Sequence, residues 1–184
     1  LTADQLAVLR DLAAIAESEL QRGQLSDTQR ELIREMDELK LRASVDGLTR
    51  LWNRTAITEL LSAELTRAKR GTPVCVAMID VDHFKPVNDQ FGHIAGDGVL
   101  RQLADLLRGF ARGEDIAARI GGEEFAILLP ESDIADAQGF AERLREAVAN
   151  TPFLIVDAPH RLTVSIGLSN VAADRGELSA LMQA

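Results

Sequence analysis

The sequence is short of cysteine, of basic residues and of long apolar runs. Its 184 residues include one cysteine, Cys75, so no intrachain disulfide can form. Cys75 sits in the run VCVAMI, where a thiol packs as a small hydrophobe. A reducing, cytoplasmic setting is expected. Lysine and arginine number 20 against 29 acidic residues, for a formal net charge of −9. That deficit argues against non-specific binding to DNA or RNA, whose affinity comes mainly from cations on phosphates. It leaves room for a small phosphorylated ligand held by a local cluster of donors. No run approaches the ~20 apolar residues of a membrane span, and no signal peptide is visible. The chain begins at Leu1 rather than methionine. That is expected of a piece of a longer protein, with any membrane segment outside it.

What is present is ordinary for a globular chain: 46% hydrophobic and 27% charged residues, enough for a real core in one domain with an appendage. Residues 3–43 hold no proline and one glycine, Gly23. Leu6, Leu9, Ala13, Ala16 and Leu20 recur at helical spacing. Leu25, Leu32 and Leu39 are seven apart, with Met36 and Ala43 at companion heptad positions. The pattern predicts a coiled-coil stalk over 1–45, with a stutter or break at Gly23 where the two registers disagree. The alternative is an amphipathic helix packed on its own domain.

Asp46-Gly47 is a turn signal. Thr55 to Arg70 reads as a helix closed by Gly71. PVCVAMID reads as a central strand covered on both faces. It runs into DVDHFKPVNDQFGH, rich in polar and turn-prone residues. Val99 to Phe110 is an amphipathic helix. DIAARI and FAILLP are strands around a Gly121-Gly122 hairpin. Ile134 to Ala149 is a helix, RLTVSIGLSN a half-buried strand, and Glu177 starts a last helix. The order predicts an α/β (α+β) sheet layered with helices.

Asp80 and Asp82 are two apart, so in a strand they share a face. Such a pair suits a hard cation such as Mg²⁺, which takes few protein ligands and the rest from water and phosphate. A solvated strand end or a helix N-cap would use the same residues. Glu123 and Glu124 follow two glycines, which let another group approach the backbone closely. If the hairpin lies beside the first strand, one glutamate converges on Asp80. If not, the pair is a wet hairpin tip.

Gly121-Gly122-Glu123-Glu124-Phe125 resembles the signature of the GGDEF family of diguanylate cyclases. DGLTRLWNR is similar to that family's opening motif, and DVDHFKPVNDQFGHIAGD to its metal and guanine segment. Arg112-x-x-Asp115 precedes the signature at the usual distance, and LTVSIGLS resembles the late strand. The resemblance covers 46–184 and implies a palm-like mixed or antiparallel sheet flanked by helices, related to nucleotidyl cyclases and polymerases. It implies condensation of two GTP into cyclic di-GMP with release of two pyrophosphates. Asp80, the carbonyl of Val81 and Glu123 would bind two Mg²⁺, with Mn²⁺ as a substitute. Glu123 or Glu124 would accept the proton, and Lys85 would stabilise phosphate charge. The backbone of Phe84, Lys85, Gly121 and Gly122 would approach the phosphates. Asn88 and Asp97 would read the guanine edge, with His93 lining the pocket. Arg112 and Asp115, with Arg143, would form an inhibitory site for the product.

The bland alternatives are a turn residue at Asn88, an N-cap at Asp97, and a surface ion pair between Arg112 and Asp115. One GTP per domain implies a homodimer through the N-terminal helix, which looks like the exit of a sensor such as a GAF module. The family's closing ADxALYxAKxxGRN-like helix, with a triphosphate-contacting lysine and arginine, has no counterpart before the sequence stops at ELSALMQA. The competing reading is a catalytically silent cyclic di-GMP receptor. The retained Asp80, Glu123 and Glu124 favour the enzyme.

Overall fold

The computed structural model describes residues 29–32, 34–35, 43–68 and 71–170. Most of the predicted stalk with its break at Gly23, the end of the first domain helix at Lys69 and Arg70, and the helix predicted from Glu177 lie outside them. The chain divides into two units, Leu1–Ala43 and Ser44–Ala184. In the first, residues 29–32 and 34–35 are helical, and the heptad leucine Leu32 is 53% exposed.

The second unit is built on a five-stranded sheet in the order β1-β3-β4-β2-β7. The strands are β1 (Trp52–Asn53), β2 (Val74–Val81), β3 (Ile116–Gly121), β4 (Glu124–Pro130) and β7 (Val164–Asn170). The short β1 runs parallel to β3, and every other pairing is antiparallel. A two-stranded sheet, β5 (Phe153–Ile155) and β6 (Ala158–His160), stands apart. Among the described residues of this unit there are four helices: α1 (Arg54–Ala68), α2 (Phe84–Phe91), α3 (His93–Phe110) and α4 (Ile134–Asn150).

The continuous apolar runs in β2 and β4 are explained by helices on both faces of the sheet. Cys75, Ala77, Ile79, Val81, Phe125, Ile127 and Leu129 pack with α3 and α4 in one core. Val74, Val76, Ala126 and Leu128 pack with Ile57 and Leu61 of α1 in the other. Alternation along a strand sends successive side chains to opposite faces, so each run fills both cores. This is the layered α+β architecture the sequence predicts.

Three local features differ from the sequence reading. The segment read as polar and turn-prone holds α2, because Pro86 falls in the first helical turn, where the missing N–H costs nothing. Helix α3 begins at His93, six residues before the predicted start at Val99, so Asp97 lies inside the helix and not at a cap. The β5–β6 hairpin turns through Val156 and Asp157, at φ 49° and 63°. Positive φ is rare for a β-branched residue, and nothing in Val-Asp signals such a turn. The side-chain amide of Gln102 holds this hairpin to α3. It donates to the Leu154 carbonyl at 2.9 Å and accepts from the Leu154 amide at 2.8 Å.

Candidate functional site

The site grows from the end of β2. Register places Asp80 directly opposite Glu124 of β4 and, on its other side, opposite Ser165 of β7. Directly opposite residues share a face with their Cβ atoms about 5 Å apart. The pairing of β2 with β4 ends at Asp80, whereas its pairing with β7 continues to Val81. The backbone of Val81 is therefore free of a ladder partner on the hairpin side. Gly122 and Glu123 form the two-residue connection between Gly121 and Glu124. Gly122 has φ 38°, a left-handed conformation suited to glycine. The hairpin thus does lie beside the first strand, and it is Glu124 that faces Asp80, with Glu123 in the turn itself.

Asp82 has a different job from Asp80. Its two carboxylate oxygens accept from Thr163 Oγ1 and Ser165 Oγ, each at 2.6 Å. The Ser165 and Thr163 bonds hold its carboxyl below the usual range. Asp82 clasps the start of β7 to the end of β2. His83 follows at φ 56°, a left-handed turn that costs a non-glycine residue about 1–2 kcal/mol. Helix α2 starts directly after that turn, with Phe84 and Lys85 in its first turn. Phe84 is buried, and Lys85 is exposed.

Asp80, Glu123 and Glu124 form no ion pair with any described residue. Among the described residues no group of three or more histidine, cysteine or acidic side chains gathers closely enough to hold a metal unaided. Two facing carboxylates, a third beside them and an unpaired strand-end backbone fit an ion that completes its shell from water and phosphate. The donors are all hard oxygens.

Asn88 sits in α2 and Asp97 in α3, two helices that pack together and are separated by Gly92 at φ 82°. The Asn88 amide makes no hydrogen bond to a described residue. His93 is the first residue of α3 and is exposed.

Arg112 and Asp115 do not form the surface ion pair of the bland alternative. The Asp115 carboxylate instead accepts from the Arg112 backbone amide at 2.7 Å. That closes the turn and leaves the guanidinium without a described acidic partner. Arg112, Asp115 and Arg143 line one cleft of about 150 Å³. On the other side of the same turn, Arg50, Trp52 and Arg108 join Arg112 and Asp115 around a cavity of about 490 Å³. No motif in the sequence points to this second cavity.

A further group escaped the sequence reading. Arg119 donates from Nε and Nη2 to the Gly122 carbonyl at 3.1 and 2.8 Å. Its Nη1 lies 3.3 Å from Asp46 Oδ1. The same Asp46 oxygen accepts from the Thr49 amide at 2.8 Å and the Thr49 hydroxyl at 2.6 Å. Partial burial pushes the Asp46 carboxyl up, but the bonds from Thr49 and Arg119 outweigh it and hold it below the usual range. One guanidinium therefore joins the start of the domain to the signature hairpin.

The chain is similar to known proteins in sequence and in fold. The sequence profile described as "Diguanylate cyclase, GGDEF domain" matches residues 43–184. The diguanylate cyclase DgcP of Pseudomonas aeruginosa is 42% identical over 135 residues, covering 73% of this chain and 20% of its own length. The response regulator PleD of Caulobacter vibrioides is 38% identical over 177 residues, covering 95% of this chain and 38% of its own. The chain thus spans between a fifth and two fifths of the length of these relatives. Among solved structures, diguanylate cyclase SiaD of Pseudomonas aeruginosa, in complex with its activator SiaC, matches with a TM-score of 0.71 and 32% identity. That match covers 98% of this chain and 69% of the other. The coiled coil and GGDEF domain of DgcB from Caulobacter crescentus, in complex with c-di-GMP, matches at 0.68 and 32%, covering 81% and 82%.

Proposed function

The chain belongs to the GGDEF family of diguanylate cyclase domains, and on that premise we propose that it condenses two GTP into cyclic di-GMP with release of two pyrophosphates. The observation that carries the reading is the register of Asp80 against Glu124 at the tip of the Gly121-Gly122 hairpin, with no cation of the described chain to neutralise either acid. Two Mg²⁺ ions, or Mn²⁺, held by Asp80, the Val81 carbonyl and Glu123 would polarise the α-phosphate, steady the leaving pyrophosphate and acidify the 3′-hydroxyl. The backbone of Phe84, Lys85 and the Gly121-Gly122 turn approaches the phosphates, and the Lys85 ammonium offsets their charge. Glu123 or Glu124 takes the proton from the attacking hydroxyl. Asn88 and Asp97 read guanine, whose N1–H and N2–H₂ donate to a carboxylate and whose N3 accepts from an amide. A base that leaves such groups unpaired is rejected. His93 lines this pocket. A GTP-consuming site fits a cytoplasmic location.

Product binds in the cleft of Arg112, Asp115 and Arg143. The unpaired Arg112 fork suits a phosphate or a guanine face. Each domain presents one GTP, so two domains meet across a two-fold axis. The stalk over 1–45, with Leu32 more than half exposed, brings them together and transmits the state of an upstream sensor.

The test is direct. The chain is incubated with GTP and Mg²⁺ and its product identified by mass spectrometry, beside Glu123→Gln and Arg112→Ala. The parent should make cyclic di-GMP and Glu123→Gln none. Arg112→Ala should accumulate severalfold more, with product affinity weakened about 10- to 100-fold for a lost charged hydrogen bond. No product from the parent or from Arg112→Ala, with cyclic di-GMP still bound by the parent, replaces the enzyme by a receptor. Insertions of different lengths into the stalk should change turnover without unfolding the domain. Equal turnover at every length ends the proposed role of the stalk.

A further inference from the structure

We infer that Gly96 is the clearance in which the Asn88 side chain rests, so that a residue with no side chain sets the position of one of the two groups that read the base. This inference rests on the proposed role of Asn88. A Cβ at position 96 would land on the Asn88 Oδ1 atom, 3.0 Å from its Cγ and 3.2 Å from Cζ of Phe84. Gly96 lies in the first turns of α3, where its amide bonds to the Gly92 carbonyl at 3.1 Å. Its backbone is helical, so the demand for glycine is one of space and not of φ.

Of the two neighbours, Phe84 cannot give way. It is 4% exposed and belongs to the core under α3, and close-packed interiors transmit such strain rather than absorb it. Asn88 is only partly buried and makes no hydrogen bond to a described residue. The side chain that moves is therefore the base-reading amide. Asp97 follows in the next position, so one stretch of helix both seats the amide and carries the carboxylate. Gly98 is an internal control, since a Cβ there meets nothing within 4 Å.

The experiment has two independent readouts on the full chain. The first is a thermal-stability cycle. Relative to Gly98→Ala, Gly96→Ala should lower Tm by several degrees, because displacing Asn88 and crowding Phe84 offset what alanine gains in a helix. In an Asn88→Ala background the same change should cost less than half as much, because the atoms it strikes are gone. Gly98→Ala should hold or raise Tm, since alanine is the better helix former. An equal Tm loss from Gly96→Ala in both backgrounds overturns the clearance.

The second readout is affinity for GTP and for 3-deaza-GTP, in which a C–H replaces the N3 acceptor. The parent should prefer GTP about fivefold, the worth of one neutral hydrogen bond. Gly96→Ala should bind both equally, at the weaker level, while Gly98→Ala keeps the preference. Retention of the parental preference by Gly96→Ala overturns the inference. A parent that does not distinguish the two nucleotides overturns the base-reading role of Asn88 itself, and with it the specificity role of Gly96, whatever the stability cycle shows.

Discussion

Replacing Asp80 by asparagine is expected to reduce cyclic di-GMP synthesis about a thousandfold, the scale of losing a group that stabilises transition-state charge, while the unliganded chain becomes no less stable. The two effects have one cause. Asp80 stands directly across the sheet from Glu124, and like charges in that arrangement repel. Removing one charge and keeping the shape should stabilise the empty chain by about 0.5 kcal/mol, or roughly 1–2 °C in Tm. The same change should remove most of the Tm increase that Mg²⁺ and GTP together produce, because a ligand stabilises only the state it binds. Calorimetry with and without Mg²⁺ and GTP measures both. A Tm that falls by several degrees in the empty chain would make Asp80 a structural residue, and an undiminished ligand shift would take the metal elsewhere.

Arg119→Ala is expected to cost both stability and turnover, through contacts that touch no substrate. Its guanidinium spans the Gly122 carbonyl and the Asp46 carboxylate and is only 15% exposed. Truncation leaves a partly buried carboxylate and a hairpin carbonyl without that donor, a loss of about 2 kcal/mol. It also frees the turn that carries Glu123. Misplacing a reacting group by about 1 Å costs on the order of 100-fold, so kcat should fall by 10- to 100-fold with KM for GTP changed far less.

Acid stability gives a separate signature. Asp46 has a depressed carboxyl in the folded chain, so its contribution is full above the unfolded aspartate pKa. It is lost as the pH falls through the lower folded value. Without Arg119 the depression shrinks, so the stability gap between the parent and Arg119→Ala should narrow at the acid end of that window to the part that comes from the Gly122 carbonyl. Parallel stability curves down to that pH would deny the link between Asp46 and Arg119. Lysine at position 119 should restore little, because a single ammonium cannot reproduce a fork that meets two partners at once.

How far the sequence could be read depended on the range of the signals. The strand β7 and the helix α3 follow from apolar periodicity, β2 from its continuous apolar run, β4 from the strand pattern beside Gly121-Gly122, and α1 from its basic last turn and the Gly71 stop. The Asp80–hairpin meeting was foreseeable as a condition: if the hairpin lay beside the strand, an acid would converge. Alternation could not say which acid, because that depends on the register of β4 against β2 and on the strand starting at Glu124, with Glu123 left in the turn. Helix α2 was hidden because Pro86, Asn88 and Asp89 speak for a turn, while the helical set Phe84, Val87 and Phe91 is too short to outvote them. Asp46 read as a turn residue, since its partner is 73 residues away. The same holds for Asp82, whose hydroxyl partners come from another strand. Gly96 could not be singled out from Gly98 without the packing of α2 on α3.

The clasp between Asp82 and the last strand also bears on how the chain is made. Thr163 and Ser165 lie 81 and 83 residues after the aspartate they hold, and β7 is the second neighbour of β2. During synthesis β2 therefore emerges, pairs with β4 and then waits with one bare edge until residues 164–170 leave the ribosome. An apolar strand with an open edge is a template for wrong partners, and pairings so distant in sequence form slowly. Asp80 and Glu124 are thus synthesised before the residues whose hydroxyls hold the end of β2 in place.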